Sequence, residues 1–286
     1  MNDSEKRLVL IGAHPDDESF GMGGTLAQYA MRGVKCWYLC GTRGELGIDD
    51  PNADLKGFGS VGGLRWHEME CAAGVLGLTG LYWLGYHDSG MPGMPSNTAP
   101  GAFAAAPVEE AAGRIVKLLR ELKPQVVITH DPIGGYRHPD HIAAHNAAVK
   151  AYYAASDPAQ YPEAGPAWKP DKLYYQTMPH AMMKLAIRLM PLFGRDPHKF
   201  GRNGDIDLTK LVETEYPIHA IIHISKEAEE IRSNAIRCHA SQLGGEPPRR
   251  GMLGIIQRFQ KPQDHFMRAD PPVQGKVKEK DLFEGI

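Results

Sequence analysis

Apolar residues in this chain fall into short blocks with two different spacings. Uninterrupted apolar runs are typical of strands buried on both faces of a sheet, whereas apolar residues at every third or fourth position are typical of helices. The runs predict strands over residues 7–13, 34–39, 81–84, 125–129, 173–178 and 218–224. The helical spacing predicts helices over residues 23–30, 65–73, 108–122, 142–155, 181–190 and 226–239.

Strands and helices alternate up to residue 178, and such alternation favours parallel strands joined by right-handed crossovers. We therefore expect an α/β fold, with a Rossmann-like, mostly parallel sheet and helices on both faces. Beyond that point the pattern is less regular and indicates an α+β portion. The predicted domains are a catalytic core at residues 1–178 and a C-terminal region at residues 179–286 that completes the substrate site.

Composition narrows the class of protein. The chain has 286 residues, of which 42% are hydrophobic, and a formal net charge of −2. That content supports a buried core, and that charge gives no basic surface for nucleic acid or for an anionic membrane. No uncharged run approaches the length of a membrane span. We expect a cytoplasmic protein, and self-association into a homo-oligomer is left open.

The four cysteines lack the spacing of a redox motif. They are Cys36, Cys40, Cys71 and Cys238, and no two of them form a Cys-x-x-Cys pair. All four are in apolar surroundings along the chain, which favours buried, reduced thiols in a cytoplasmic protein.

Ligand-type side chains follow the first predicted strand directly. His14, Asp16 and Asp17 come after the apolar run 8–11, and the carboxyl ends of strands are where α/β sheets build their sites. His14 and Asp17 can turn onto one cation, while one aspartate of the pair faces an open coordination position. An aspartate pair at a strand end can also simply cap the next helix, at about even odds for the pair alone.

A second cluster opens a later helix. Pro139 suits the first helical position, His138 then lies near the N-cap, and His141 is our third ligand. His138 can stabilise the developing oxyanion or protonate the leaving amine, and Asp140 would fix its tautomer. A lone histidine at a helix start is more often structural. Two such clusters in one chain favour zinc, and the same ligands accept Fe²⁺.

These motifs carry a family resemblance. The segment 13–18 (Ala-His-Pro-Asp-Asp-Glu) and the segment 134–141 resemble the LmbE-like zinc deacetylases, which include N-acetylglucosaminyl-phosphatidylinositol de-N-acetylase. Within that family, the segments 88–91 and 129–136 are similar to the mycothiol-pathway deacetylase and mycothiol conjugate amidase branch. Arg137 differs from the smaller residue common in that branch, which bears on the shape of the site mouth.

The resemblance implies a role for each matching residue. It implies zinc ligands at His14, Asp17 and His141, and a general base at Asp16. It further implies that His138, held by Asp140, assists the tetrahedral intermediate, that Tyr136 helps to polarise the carbonyl, and that Arg65 and Asp88 contact the sugar or cyclitol. From its loop position alone, Glu45 could bind polar substrate groups or be a solvated acid.

The sequence thus predicts a zinc-dependent hydrolase that de-N-acetylates an N-acetylglucosamine-type conjugate, a small-molecule partner. The alternative within the family is an amidase that cleaves thiol conjugates. An alternative of another class is a non-catalytic sugar- or metal-binding protein, which would be expected to lack the base or a ligand.

Overall fold

The computed structural model describes residues 5–200, 204, 206–243, 262–275 and 277–286. Within these ranges seven strands form one sheet in the order β3-β2-β1-β4-β5-β7-β6. The strands are β1 (Arg7–Gly12), β2 (Lys35–Cys40), β3 (Gly80–Trp83), β4 (Val126–Thr129), β5 (Lys172–Thr177), β6 (Ala220–His223) and β7 (Gln263–Asp270). Strands β1 to β5 are mutually parallel, and β7 is antiparallel to both β5 and β6.

Helices cover both faces of the sheet. They are α1 (Asp17–Phe20), α2 (Gly23–Met31), α3 (Val61–Leu76), α4 (Val108–Leu122), α5 (Gly134–Arg137), α6 (Pro139–Ala154), α7 (His180–Leu189) and α8 (Lys226–Cys238). Among the helices in the described ranges, none is both long and apolar enough to cross a lipid bilayer.

The β1 strand shows why the sheet is buried on both faces. Its side chains alternate, so Leu8 and Leu10 enter one core and Val9 and Ile11 enter the other. The first core also contains residues of α2, α3 and α8, and the second those of α4 and α6. A continuous apolar run is therefore the expected sequence for this strand.

The predicted α/β class and mostly parallel sheet are confirmed, and each predicted strand and helix exists, α4 with the predicted ends and the others with shifted ends. Strand β7 was not predicted. Because β6 and β7 pair within the same sheet, residues beyond 178 extend the core sheet directly. The proposed domain boundary and the role of the C-terminal region in the substrate site stay predictions.

The expectation of four reduced cysteines is wrong for two of them. Cys71 of α3 and Cys238 of α8 form a disulfide, with Cα atoms 5.8 Å apart, a separation within the range that a disulfide spans. Cys36 and Cys40 are free and buried, as expected. The pairing joins positions 167 residues apart, which is why spacing along the chain gave no sign of it.

Candidate functional site

The candidate ligands meet where the strand order reverses. The chain leaves β1 toward β2 on one side, and β4 lies on the other side of β1. In open α/β sheets the crevice at such a switch point, outside the carboxyl ends of the strands, is the usual binding site. His14 follows β1, His130 follows β4, and His141 projects from the first turn of α6. The topology therefore brings together segments that are more than a hundred residues apart.

Asp17 is fixed by its own turn. One carboxylate oxygen, Oδ2, accepts the main-chain N–H groups of Ala13 and His14 at 2.8 and 3.0 Å. The same oxygen lies 3.1 Å from Nε2 of His130. The other oxygen, Oδ1, lies 3.4 Å from Nε2 of His141. One oxygen of Asp17 thus holds the loop while the other faces the histidine cluster.

The ring of His14 is oriented by a buried carboxylate. Its Nε2 lies 3.1 Å from Oδ2 of Asp140, whose side chain is fully buried. That oxygen also accepts the main-chain N–H of Ser89 at 2.9 Å, and the Ser89 hydroxyl donates to the other oxygen. With Nε2 engaged in this way, Nδ1 of His14 faces Nε2 of His141 at 3.3 Å.

These distances match what a divalent cation needs. Ligand atoms with bonds of about 2.1 Å to a tetrahedral ion lie about 3.4 Å apart. Two distances agree with that ligand-to-ligand spacing. Nε2 of His141 lies 3.3 Å from Nδ1 of His14 and 3.4 Å from Oδ1 of Asp17. Two overlapping groups, with ligand atoms within 4.8 Å of one another, share His141: His14, His138 and His141, and Asp17, His130 and His141. Each of these two pairs fits a metal ion of the zinc or iron type, and His141 belongs to both groups, whereas His14 and Asp17 belong to different groups.

His138 is held differently from the expectation. The carboxylate of Asp140 turns to His14 and Ser89, so it is the main-chain N–H of Asp140 that donates to Nδ1 of His138, at 3.2 Å. In the neutral ring the proton is then on Nε2. Burial, together with the charge of His14, lowers the pKa of His138 to about 3. The ring is a neutral hydrogen-bond donor beside the cluster, 4.9 Å between centroids from His141.

Asp16 lies next to the cluster in an unusual backbone conformation, with φ of 133°. Its side chain accepts from the guanidinium of Arg65 at 3.0 Å, and its main-chain N–H donates to Oε2 of Glu18 at 3.0 Å. Burial raises the pKa of Asp16 to about 6; Arg65 opposes the shift and the charge of Asp17 adds to it. The carboxylate is therefore close to the proton affinity that a base at neutral pH requires.

Opposing charges set the remaining pKa values. Burial alone would raise the pKa of Asp17, but the neighbouring imidazoles of His141 and His130 hold it well below the ordinary value. Burial alone would lower the pKa of His14, but the carboxylates of Asp140 and Asp88 hold it well above the ordinary value. Burial lowers the pKa of His141, and the nearby His130 lowers it further. The unprotonated His141 and the ionised Asp17 are the forms that bind a cation.

The three residues predicted to contact substrate tie loops together. The buried guanidinium of Arg65 donates to the carbonyls of Pro15 and Gly44, at 2.8 and 2.9 Å, as well as to Asp16. The carboxylate of Glu45 accepts the main-chain N–H of Asp88 at 3.0 Å. The loops after β1, β2 and β3 are thereby joined around the cluster, and the contacts of these residues with substrate stay predictions.

Two residues of the segment before α6 point in different directions. The ring of Tyr136 lies edge-on to His141, with centroids 5.4 Å apart, so it borders the cluster. Arg137 pairs with Glu213 at 2.7 Å on the exposed surface. The guanidinium of Arg137 is thus engaged with the surface outside the cluster.

Sequence reasoning gave no individual role to His130 or Ser89, and it left His239 either to close over the site or to interact with the dipole at the end of its helix. His130 stacks on His141 with centroids 4.0 Å apart, and Ser89 binds the carboxylate that orients His14. His130 directly follows a predicted strand, so the strand-end rule applied to His14 could have found it. Ser89 and His239 reach the site only through the tertiary fold, and no local spacing marks them.

Comparisons with known proteins show what this chain is similar to. The family model described as PIG-L: GlcNAc-PI de-N-acetylase matches residues 9–152. A 1D-myo-inositol 2-acetamido-2-deoxy-alpha-D-glucopyranoside deacetylase of Geodermatophilus obscurus is 36% identical over 251 residues, which cover 85% of each chain. An enzyme of the same name from Streptomyces avermitilis is 35% identical over 292 residues, covering 99% of this chain and 98% of that one.

A solved structure shares the fold. The N,N'-diacetylchitobiose deacetylase of Pyrococcus horikoshii superposes with a TM-score of 0.62 at 22% identity, covering 93% of this chain and 84% of that one. At that identity the likeness concerns the fold alone.

Proposed function

Because this chain belongs to the PIG-L (GlcNAc-PI de-N-acetylase) family, we propose that it hydrolyses the acetamide of an N-acetylglucosamine conjugate. The substrate we propose is 1D-myo-inositol 2-acetamido-2-deoxy-alpha-D-glucopyranoside, which its relatives are named for. One observation carries the proposal. Nδ1 of His14 and Oδ1 of Asp17 each lie from Nε2 of His141 at the distance expected between two ligands of one metal ion, and the carboxylate of Asp16, whose pKa is raised, lies beside them.

We propose His14, Asp17 and His141 as the residues that hold the ion, with zinc first and Fe²⁺ second. A divalent ion bound there supplies Lewis acidity, which makes water more acidic and polarises a carbonyl. Asp140 keeps the ring of His14 turned toward the ion position, as carboxylates that support metal-bound histidines do.

Asp16 is the proposed general base. Arg65 fixes the carboxylate at 3.0 Å, and a pKa of about 6 leaves most of it ionised at pH 7. It takes a proton as the oxygen of water attacks the acetyl carbonyl, and that proton is then available to the departing amine. The products are acetate and the free amino sugar.

His138 is the proposed stabiliser of the oxygen that gains negative charge. Its neutral ring carries the proton on Nε2, since Nδ1 accepts the N–H of Asp140. A donor held by the backbone in this way needs no rearrangement when charge develops. Tyr136, at the edge of the same cluster, is proposed to assist in polarising the carbonyl.

A substrate panel tests the proposal. Metal-loaded protein is assayed for primary amine and acetate released from the inositol conjugate, the malate conjugate, free N-acetylglucosamine and an acylated thiol conjugate. We expect the inositol conjugate to give the highest kcat/KM. Higher kcat/KM on the thiol conjugate would favour the amidase alternative, and no release from any of the four would refute hydrolysis.

The base is tested by Asp16→Asn. Loss of a general base costs about 10²- to 10⁴-fold in kcat, and the metal content should stay equal to that of the unchanged protein. Asp264→Asn is the matched control, because Asp264 is also buried but binds Thr25 at 2.9 Å, away from the cluster. Unchanged kcat in Asp16→Asn would remove Asp16 from the mechanism. Cytoplasmic location and self-association stay predictions.

A further inference from the structure

We propose that His239 is a positioning residue: through Glu18 it holds the main chain of Asp16 in the conformation that the general base requires. The inference deepens the proposed function and depends on the role given there to Asp16. Its basis is a buried chain of contacts that begins outside the site and ends at the Asp16 amide.

The conformation of Asp16 needs an external support. Its φ of 133° and ψ of −26° lie in a region that side-chain-bearing residues rarely adopt. Such a conformation is strained and persists only where the surroundings over-determine it. The carbonyl of Asp16 accepts the N–H groups of Ser19 and Phe20, and its N–H is held by the carboxylate of Glu18, whose Oε2 accepts it at 3.0 Å.

Glu18 is in turn fixed by His239. Nε2 of His239 lies 2.7 Å from Oε1 of Glu18, and both residues are 0% exposed. The hydroxyl of Ser19 donates to the same oxygen at 2.7 Å. With Oε1 fixed by two donors, Oε2 can only point at the backbone of Asp16. The pair therefore links the end of α8 to the general base.

The other ring nitrogen of His239 indicates that stability alone does not explain this residue. Nδ1 is buried and has no hydrogen-bond partner among the described residues. Such an orphaned polar atom costs free energy, so its presence calls for a further reason. The polar contact that the ring does make is the one with Glu18, the residue that supports the backbone of Asp16.

The position of His239 is itself anchored. It follows α8 directly, and the last residue of that helix, Cys238, is joined by the disulfide to Cys71 of α3. Two residues further on, Ser241 donates its main-chain N–H to Glu68 of α3 at 2.8 Å. The segment that carries His239 is thus attached to α3 on both sides, and α3 also carries the arginine that binds the Asp16 carboxylate.

The test compares two substitutions of one side chain. In His239→Gln the amide N–H can replace Nε2 as donor to Glu18, whereas His239→Leu keeps the volume and removes the donor. We expect kcat of His239→Leu to fall about 10- to 100-fold, the usual cost of misplacing a catalytic group by about 1 Å. KM and metal content should change less than twofold, and His239→Gln should recover kcat to within about threefold.

His219→Leu is the control for loss of a histidine. His219 binds the main chain of Arg268 at the amino end of the edge strand β6, whereas the site lies at the carboxyl ends of the central strands, so kcat of His219→Leu should be unchanged. If His239→Leu does not fold, Glu18→Gln takes its place, since an amide cannot accept both from Asp16 and from His239. Unchanged kcat in the folded variant, or a loss that follows metal content, would overturn the proposal.

A structural readout separates this inference from the proposed function. Crystal structures of the unchanged protein and of His239→Leu report φ of Asp16 whether or not the protein deacetylates the test substrates. We expect φ near 133° in the former and a shift toward negative φ in the latter. The same φ in both structures would refute the positioning role even in a fully active enzyme.

Discussion

Replacing Asp140 by asparagine isolates the carboxylate that orients His14. Asp140 is fully buried; its Oδ2 accepts the N–H of Ser89 at 2.9 Å and faces Nε2 of His14 at 3.1 Å. An asparagine has the same shape, and its single oxygen can take the place of Oδ2 and keep both contacts. Asp140→Asn removes the negative charge beside the imidazole, and its amide N–H donates to the Ser89 hydroxyl where the carboxylate oxygen Oδ1 accepted from it.

The size of the effect follows from that loss of charge. Without the carboxylate, His14 is a weaker base and its ring is held by a weaker hydrogen bond. Changing such a supporting residue costs about 10- to 100-fold in metal affinity, or about 1.4–2.7 kcal/mol. We expect the dissociation constant for Zn²⁺ to rise by that factor in Asp140→Asn.

The assay is a competition between the protein and a chromophoric chelator for Zn²⁺, which measures the dissociation constant directly. Asp264→Asn is the matched control, because Asp264 accepts both the N–H and the hydroxyl of Thr25, much as Asp140 accepts those of Ser89. Its zinc affinity should be that of the unchanged protein. Equal affinities in Asp140→Asn and Asp264→Asn would refute the idea that Asp140 tunes His14.

Two further predictions concern stability. Because Cys71 and Cys238 form a disulfide, unfolded protein that has not been reduced should have two titratable thiols. Reduction should lower the free energy of unfolding by about 2–5 kcal/mol. Four titratable thiols before reduction would contradict the pairing. Arg120 is 2% exposed and donates to six main-chain carbonyls between residues 154 and 165. Arg120→Met should therefore lower the free energy of unfolding, measured with urea, by at least about 3 kcal/mol, because those carbonyls lose their buried donor. The same change at exposed Lys117 on that helix should cost less than about 0.5 kcal/mol, and similar losses at both positions would speak against the carbonyl network.

Hydrophobic pattern predicted most of the sheet because most of its strands are buried runs. Strand β7 escaped for a physical reason: its sequence places Asp264, His265 and Arg268 between β5 and β6. Each finds a polar partner there, for example the N–H of Thr25 for Asp264. A strand whose charged and polar side chains are paired with residues far away in sequence has no periodic hydrophobic pattern that would mark it as a strand.

Helix boundaries show a similar limit. Helix α3 begins at Val61, four residues before the predicted start, because Ser60 caps it by accepting the N–H of Gly63. The glycines at its start are poor helix formers, so propensity hid the first turn. At α6 the proline rule was the better guide, since the helix begins at Pro139.

The site was predictable from sequence where metal-ligand residue types lie at the end of a predicted strand or at the start of a predicted helix. His14 and Asp17 lie at the end of β1 and His141 in the first turn of α6, and their closeness follows from the topology alone. The partner of Asp140 was not predictable in this way. Local reasoning paired it with His138, two residues away, whereas folding brings His14 to its carboxylate from 126 residues away.

The place of β7 has a consequence for how the protein is made. Among the described strands it is the last to leave the ribosome, yet it lies between β5 and β6 and hydrogen-bonds to both. Strand β6 therefore has no sheet partner until some forty further residues have been translated. Until then the edge of β5 stays open, so a nascent chain stalled before residue 263 would present an unpaired edge to other chains.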